Sequence, residues 1–381
     1  MLRRTGVRWH TVAYSAAGER YPGFHPREHF NFDNHPHWFV GHMSKARVKI
    51  QQKLPDVDVL LEVRDARAPF TSAQLDITSQ LGGRRAQRLV ILNKADLVTP
   101  NAGLAMRNVI EEAGLPCLLT NAAENKNLVK IKHFAMDNVK VRHPRTLGVM
   151  LMVVGLPNTG KSTVINGLKR IAFATAKYQG TASKLVQGVK RTEARVTKKP
   201  GETHHVDFFH LSHHPRLYCY DTPGISLLKK RNDPERIAKL ALLGGMPDHH
   251  AGEVYLADYL LYRLNRDRHF AYVEELELPG PTDDVRYLCS HIAALMALRQ
   301  RTQVYYADIT AGAGFFVNLF RLGGLGKICM DHIPSQGEIQ QLKELRAQTE
   351  PPGPWGPPCY PEVTAGLELD RQKPVLPERR Q

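Results

Sequence analysis

Short apolar runs and helical repeats alternate through the first 235 residues. Runs at 57–63, 88–93, 117–120, 147–154, 206–211 and 217–220 have the length and make-up of buried strands. Between them, 101–113, 127–140 and 163–169 read as helices. This alternation predicts an α/β fold, a mostly parallel sheet with helices on both faces. Beyond residue 232 the strand-like runs fade. Segments 234–243, 254–264, 285–299 and 315–322 read as amphipathic helices; in the third, Val285, Leu288, Ile292, Leu295 and Met296 share one face. The pattern divides the chain into an α/β domain over 36–235 and a small all-α domain over 236–345. "PPGPWGPPCYP" cannot build a core, so 346–381 is expected to be an extended tail.

Three loops in this pattern carry chemistry. "GLPNTGKS", from Gly155 to Ser162, fits GxxxxGK[ST] between a strand and a helix. Such a loop turns backbone N–H groups onto phosphate oxygens, helped by the positive end of the next helix. Gly155, Asn158, Thr159, Gly160 and Thr163 then line the phosphates, Lys161 bridges the β- and γ-phosphates, and Ser162 ligates Mg2+. "DTPG" after the run at 217–220 supplies a metal-facing Asp221 and a γ-phosphate-sensing Gly224. "PGET" before it offers Thr203 as a further magnesium ligand.

The third loop is "ILNKADL". Asp96 can accept from the N1–H and 2-amino group of guanine. Adenine would leave that carboxylate unpaired, so the loop selects GTP over ATP. Asn93 is expected to support base and loop, the Lys94 stem to cover the ring, and Ala122, in "TNAAEN", to give a backbone N–H to the guanine oxygen. These elements stand in an unusual order, with base recognition about sixty residues before phosphate recognition. A circular permutation explains the order, because neighbouring termini let a compact fold be rejoined and recut.

Charge adds a partner to this picture. The net charge is +15, and it is uneven. Residues 169–199 hold nine Lys/Arg against one Asp/Glu, whereas 236–345 hold eleven against thirteen. A polyanion such as RNA is the matching partner. The basic stretch runs into Thr203, so RNA contact by Lys190, Arg191, Lys198 and Lys199 is expected to depend on bound GTP. The five cysteines are scattered without a CxxC, and the paired histidines lack ligand spacing, which excludes a zinc-ribbon or disulfide scaffold. No run of eighteen apolar residues suggests a membrane span. Arg3, Arg4 and Arg8, with no acidic residue before Glu19, make residues 1–35 resemble a mitochondrial targeting extension.

With "HWFVGHMSKARVKI" ahead and "VDVLLEVRDARAPFTS" between, the motif order resembles the circularly permuted GTPases of the bacterial ribosome-biogenesis GTPase A type. The Arg-rich leader points to a mitochondrial member. The resemblance spans about residues 36–345. It implies a circularly permuted P-loop GTPase domain followed by the helical domain, hydrolysing GTP to GDP and phosphate. It further implies a role in assembling the large mitochondrial ribosomal subunit, through its rRNA and proteins. The place implied is the matrix, in part peripheral on the inner membrane. His42, in "GHM", matches the family's proposed catalytic histidine, and Asn158 matches an asparagine that holds K+ in related GTPases. Lys161 and Thr203 complete the catalytic set. Ile225 follows the DxxG segment, where Ras-like enzymes carry a water-orienting Gln, so slow basal turnover is expected. The loop over 166–200 is longer than in the compact bacterial forms. The alternative reading is a GTP-dependent RNA-binding module with incidental hydrolysis.

Overall fold

Aliphatic and β-branched residues dominate the six apolar runs, and each becomes a strand. The structure, a computed structural model, describes residues 21–32, 48–73, 87–138, 148–178, 207–213, 216–224, 233–300 and 308–333. The strands are β1 (Val59–Asp65), β2 (Gln87–Asn93), β3 (Cys117–Leu119), β4 (Val149–Gly155), β5 (Asp207–His213) and β6 (Arg216–Asp221). They form one sheet in the order β3-β2-β1-β4-β6-β5. All neighbours run parallel except β5, which pairs antiparallel with β6 at the edge. β1 is buried along its whole length, as a central strand covered on both faces must be.

This order gathers the chemistry. The parallel strands end at one edge of the sheet, where ligands of open α/β folds bind. Asp65 lies beside Asn93, Val63 beside Gly155, and Val153 beside Asp221. The strand of the base loop therefore sits two places from the strand of the phosphate loop, although it precedes it in sequence. The chain is a circularly permuted P-loop fold.

One face of the sheet carries α1 (Pro100–Glu112) over β2 and β3, where Met106, Val109 and Ile110 pack on Val90 and Leu92. The opposite face carries α2 (Leu128–Asn138) and α3 (Lys161–Tyr178). Thr99 caps α1 by accepting from the Ala102 N–H, with Pro100 in the first turn. α3 is longer than the predicted 163–169, so the first part of the expected loop over 166–200 is helix. Its Ala-rich "RIAFATAKY" supports that extension.

The remaining helices are α4 (Pro234–Leu242), α5 (Asp248–Ala251), α6 (Glu253–Arg266), α7 (Ala271–Glu275), α8 (Val285–Gln300) and α9 (Ile309–Arg321). α9 starts earlier than the predicted 315, because Asp308 accepts from the Ala311 N–H and caps it. Leu60, Met152 and Val154 of the sheet join the same apolar cluster as Leu256, Leu260 and Phe316. The helical region thus shares a core with the sheet. The segment around Phe30 joins it too. Phe30 is buried against Tyr255, Tyr259 and Tyr262, while Arg27 pairs with Asp258 at 2.7 Å. Residues 21–32 therefore belong to the packed body, inside the stretch assigned by sequence to the N-terminal extension.

Candidate guanine-nucleotide site

Asn93, at the end of β2, ties the two halves of the site together. Its Nδ2 donates to the Thr159 carbonyl at 2.9 Å. Its Oδ1 accepts from the Ala122 N–H at 3.0 Å and from Thr120 Oγ1 at 3.3 Å. One buried side chain thereby fixes the phosphate loop and the "TNAAEN" loop. The Ala122 N–H, expected to meet the guanine oxygen, donates to Asn93 in this structure. The next two amides, of Ala123 and Glu124, both donate to Asn121 Oδ1, at 3.1 and 3.3 Å.

Lys94 adopts a left-handed backbone, φ 60°, which swings the following 3-10 turn, Ala95–Leu97, out over the sheet edge. Asp96 is exposed on that turn. The Ala95 N–H donates to the Thr120 carbonyl at 3.0 Å, so both base loops are held in register. Lys94 Nζ donates to Asp65 Oδ2 at 2.9 Å, and Arg67 pairs with the same carboxylate. Burial alone would raise the Asp65 pKa, but Arg67 and Lys94 hold it well below the usual carboxylate range. Burial also pushes the Lys94 pKa down, against the pull of Asp65.

The phosphate loop has the required form. Gly155 lies against the Val63 carbonyl, with no room for a side chain. Gly160, φ +93°, sits against the Asn93 amide. Lys161 is buried and donates from Nζ to the Leu156 carbonyl at 2.8 Å, and burial lowers its pKa to about 8, with Asp221 opposing. A polyphosphate would replace that carbonyl as its partner. Thr159 Oγ1 donates to the same Leu156 carbonyl at 3.0 Å, closing the loop. Thr163 lies in the first turn of α3. Gly224 passes close to the Pro157 backbone, so the loop after β6 rests on the phosphate loop.

Ser162 Oγ donates to Asp221 Oδ2 at 3.2 Å. Asp221 is buried, its Oδ1 has no hydrogen-bond partner, and burial raises its pKa. A hydroxyl beside a buried, half-satisfied carboxylate suits a hard divalent cation with oxygen ligands, so these two residues fit Mg2+. Asn158, in a left-handed conformation, donates from Nδ2 to the Gly244 carbonyl at 2.7 Å. That bond joins the phosphate loop to the turn after α4. His42 and Thr203 lie outside the described residues, as do Ile225 and most of the basic stretch. Of that stretch, Lys169 lies over the Phe209 ring, and Arg170 donates to Asn125 Oδ1 at 2.8 Å. Lys169 thus packs on the sheet, and Arg170 joins α3 to the base-side loop.

Sequence reasoning missed the helical region's hold on this site. Arg67 donates to the Phe320 carbonyl and lies over the Phe320 ring. The Ile328 N–H donates to the Leu97 carbonyl at 3.1 Å. Arg321 caps the end of α4 through the Ala241 and Leu242 carbonyls and pairs with Asp248. Both the base loop and the phosphate loop thus bear on the helical region. The visible hint was the charge in "EVRDAR" at the end of an apolar strand. Among the described residues no helix is long and apolar enough to cross a membrane, and no three or more His, Cys, Asp or Glu side chains gather as a metal-holding group.

The family described as "50S ribosome-binding GTPase" matches residues 150–261. The chain is 32% identical over 311 residues to Mitochondrial ribosome-associated GTPase 1 of Ictalurus punctatus, covering 77% of this chain and 92% of the relative. It is 33% identical to the protein of that name from Mus musculus, covering 80% of this chain and 93% of the relative. A solved structure, GNP-bound YlqF from T. maritima, overlays at TM-score 0.48 and 20% identity, covering 76% of this chain and 99% of that one.

Proposed function

This chain belongs to the mitochondrial ribosome-associated GTPase family, and from that membership we propose that it is an assembly factor for the large mitochondrial ribosomal subunit. It binds subunit RNA with GTP in place and leaves after hydrolysis. It acts in the mitochondrial matrix, in part peripherally on the inner membrane. The observation that carries the reading is the Asn93 bridge to Thr159, at 2.9 Å, which joins a guanine-selecting loop to a phosphate loop in one site.

Within that site Asp96 reads the base, and Lys161 meets the β- and γ-phosphates. Ser162 and Asp221, joined by Thr203, would hold Mg2+, which would supply positive charge beside the transferred phosphate. Gly224 senses the γ-phosphate. Gln being replaced by Ile225, turnover is slow until the subunit stimulates it. Asn158 would serve as a ligand for K+, which would supply the positive charge that an arginine finger gives elsewhere. Exchanging sodium for potassium should raise turnover several-fold in the native chain and leave Asn158→Ala unchanged. His42 is the candidate for positioning water; an equal subunit-stimulated rate in His42→Ala would remove it from that role.

The assembly reading is tested by sedimentation. The chain should travel with large mitochondrial subunits in the presence of a non-hydrolysable GTP analogue and separate from them with GDP. Equal association in both states would contradict GTP-gated binding, and turnover that large subunits do not stimulate would favour the alternative, a GTP-dependent RNA-binding module whose hydrolysis is incidental. No association in either state would contradict the ribosomal role.

A further inference from the structure

The sheet has an outer face that the helical region does not fully cover. In β6 the burial alternates, so Leu217 and Cys219 point into the core while Arg216, Tyr218 and Tyr220 share the other face. Antiparallel pairing sets Phe208 opposite Tyr220 and His210 opposite Tyr218. The rings meet as a continuous row. Phe208 stacks on Tyr218 at 5.4 Å with 14° between the planes, and touches Tyr220 at 5.4 Å. His210 lies 4.9 Å from Tyr218. Tyr220 reaches the helical region's core, whereas Phe208 is 51% exposed at the sheet's edge.

An exposed phenylalanine on an edge strand is an association hazard that chains ordinarily cover or charge. Here cations stand at both ends of the row. Arg216 is exposed at the start of β6, and Lys53 Nζ lies 5.9 Å from the Tyr220 ring. From Arg216 to Tyr220 the strand spans about 13 Å. A flat aromatic surface between cations, in a chain of net charge +15, matches a polyanion that also carries flat rings. None of the residues in this row is acidic, so nothing along it repels a phosphate backbone.

We propose that Phe208 and Tyr218 form a base-stacking platform for single-stranded RNA, with Arg216 and Lys53 contacting phosphates at its two ends. The surface is separate from the nucleotide site and adds a second kind of RNA contact to the basic stretch that precedes β5 in sequence. Stacking is tolerant of sequence, because every base has a flat face. The platform therefore suits unpaired rRNA in an immature subunit better than finished duplex. The proposal rests on the ribosome-associated reading for the source of the RNA, but the binding itself can be tested without a ribosome.

The test is titration of the full chain with a short, labelled, mixed-sequence single-stranded RNA across a range of salt concentrations. Phe208→Ala should weaken binding about tenfold, since one stacked base is lost. Tyr218→Leu should act in the same direction, while Phe208→Trp should keep native affinity. The salt slope should stay at the native value in all three, because phosphate contacts set it. Unchanged GTP binding and melting temperature would show that each variant is folded. Native affinity in both Phe208→Ala and Tyr218→Leu, or no binding by the native chain, would overturn the proposal. Either result would overturn it even if the variants lost binding to whole subunits, which would assign the face to a ribosomal protein.

Discussion

Asp65→Ala should destabilise the chain by about 3–5 kcal/mol, because it leaves the buried Arg67 guanidinium and the Lys94 ammonium without their carboxylate. Asp65 is 1% exposed and accepts from Lys94 and from both the backbone and side chain of Arg67. The damage should not stop at stability. Lys94 opens the 3-10 turn that carries Asp96, so GTP affinity should fall as well. The pH dependence follows from the depressed pKa of Asp65. A depressed carboxylate contributes stability that is complete above the ordinary aspartate range and is lost as pH falls through its folded-state value. Native protein should therefore lose this contribution only in strong acid, and Asp65→Asn should lack it at neutral pH already. Denaturant titrations at pH 7 measure the difference. Equal midpoints for native protein and Asp65→Asn would show that the cluster contributes nothing.

Gly160→Ala should weaken GTP and GDP binding by at least about a hundredfold. The residue sits at φ +93°, a conformation that strains any residue with a Cβ by roughly 1–3 kcal/mol. The added methyl would also strike the Asn93 amide and break the bond that aligns the base loop with the phosphate loop. Gly103→Ala makes a fair control, since its new methyl would meet Leu119 at an ordinary 3.4 Å within α1. That variant should bind nucleotide normally. Titration of labelled GDP reads both, and a Gly160→Ala affinity within threefold of native would contradict the bridging role of Asn93.

The nucleotide motifs were legible in the sequence because their chemistry leaves few alternatives. A phosphate loop needs Gly155 and Gly160 where backbones nearly touch, and a guanine-selecting loop needs a carboxylate such as Asp96. The strands were legible for a similar reason. Central parallel strands are apolar on both faces, and β1, β2 and β4 began or ended within two residues of the expected runs. Other features depended on contacts between distant parts of the chain. Nothing near Asn158 announces its bond to Gly244, and nothing near Phe30 announces Tyr255, Tyr259 and Tyr262. Basic side chains in "KRIAFATAKY" read as part of an RNA-contacting stretch, and the sequence does not announce that Lys169 lies over Phe209 or that Arg170 bonds Asn125. Nor does local order reveal the bond between the Ala122 N–H and Asn93. The short helices α5 and α7 are set by packing and offer too few turns for a periodic pattern.

These long-range bonds also suggest how nucleotide could be felt outside the site. Gly244 reaches the phosphate loop, and Phe320 and Ile328 reach the base loop's surroundings, all from the helical region. A change at either loop therefore bears directly on the helical region.

The proposed nucleotide site turns on base reading by a loop that stands ahead of the phosphate loop in sequence. Its decisive test is the affinity of native protein and Asp96→Asn for GTP, ATP and XTP. Native protein should bind GTP and reject ATP, because adenine leaves the Asp96 carboxylate unpaired. Asp96→Asn exchanges an acceptor for a donor, so it should lose affinity for GTP far more than for XTP. Native protein that binds ATP as tightly as GTP, or an Asp96→Asn variant that keeps native GTP affinity, would contradict base reading by this loop.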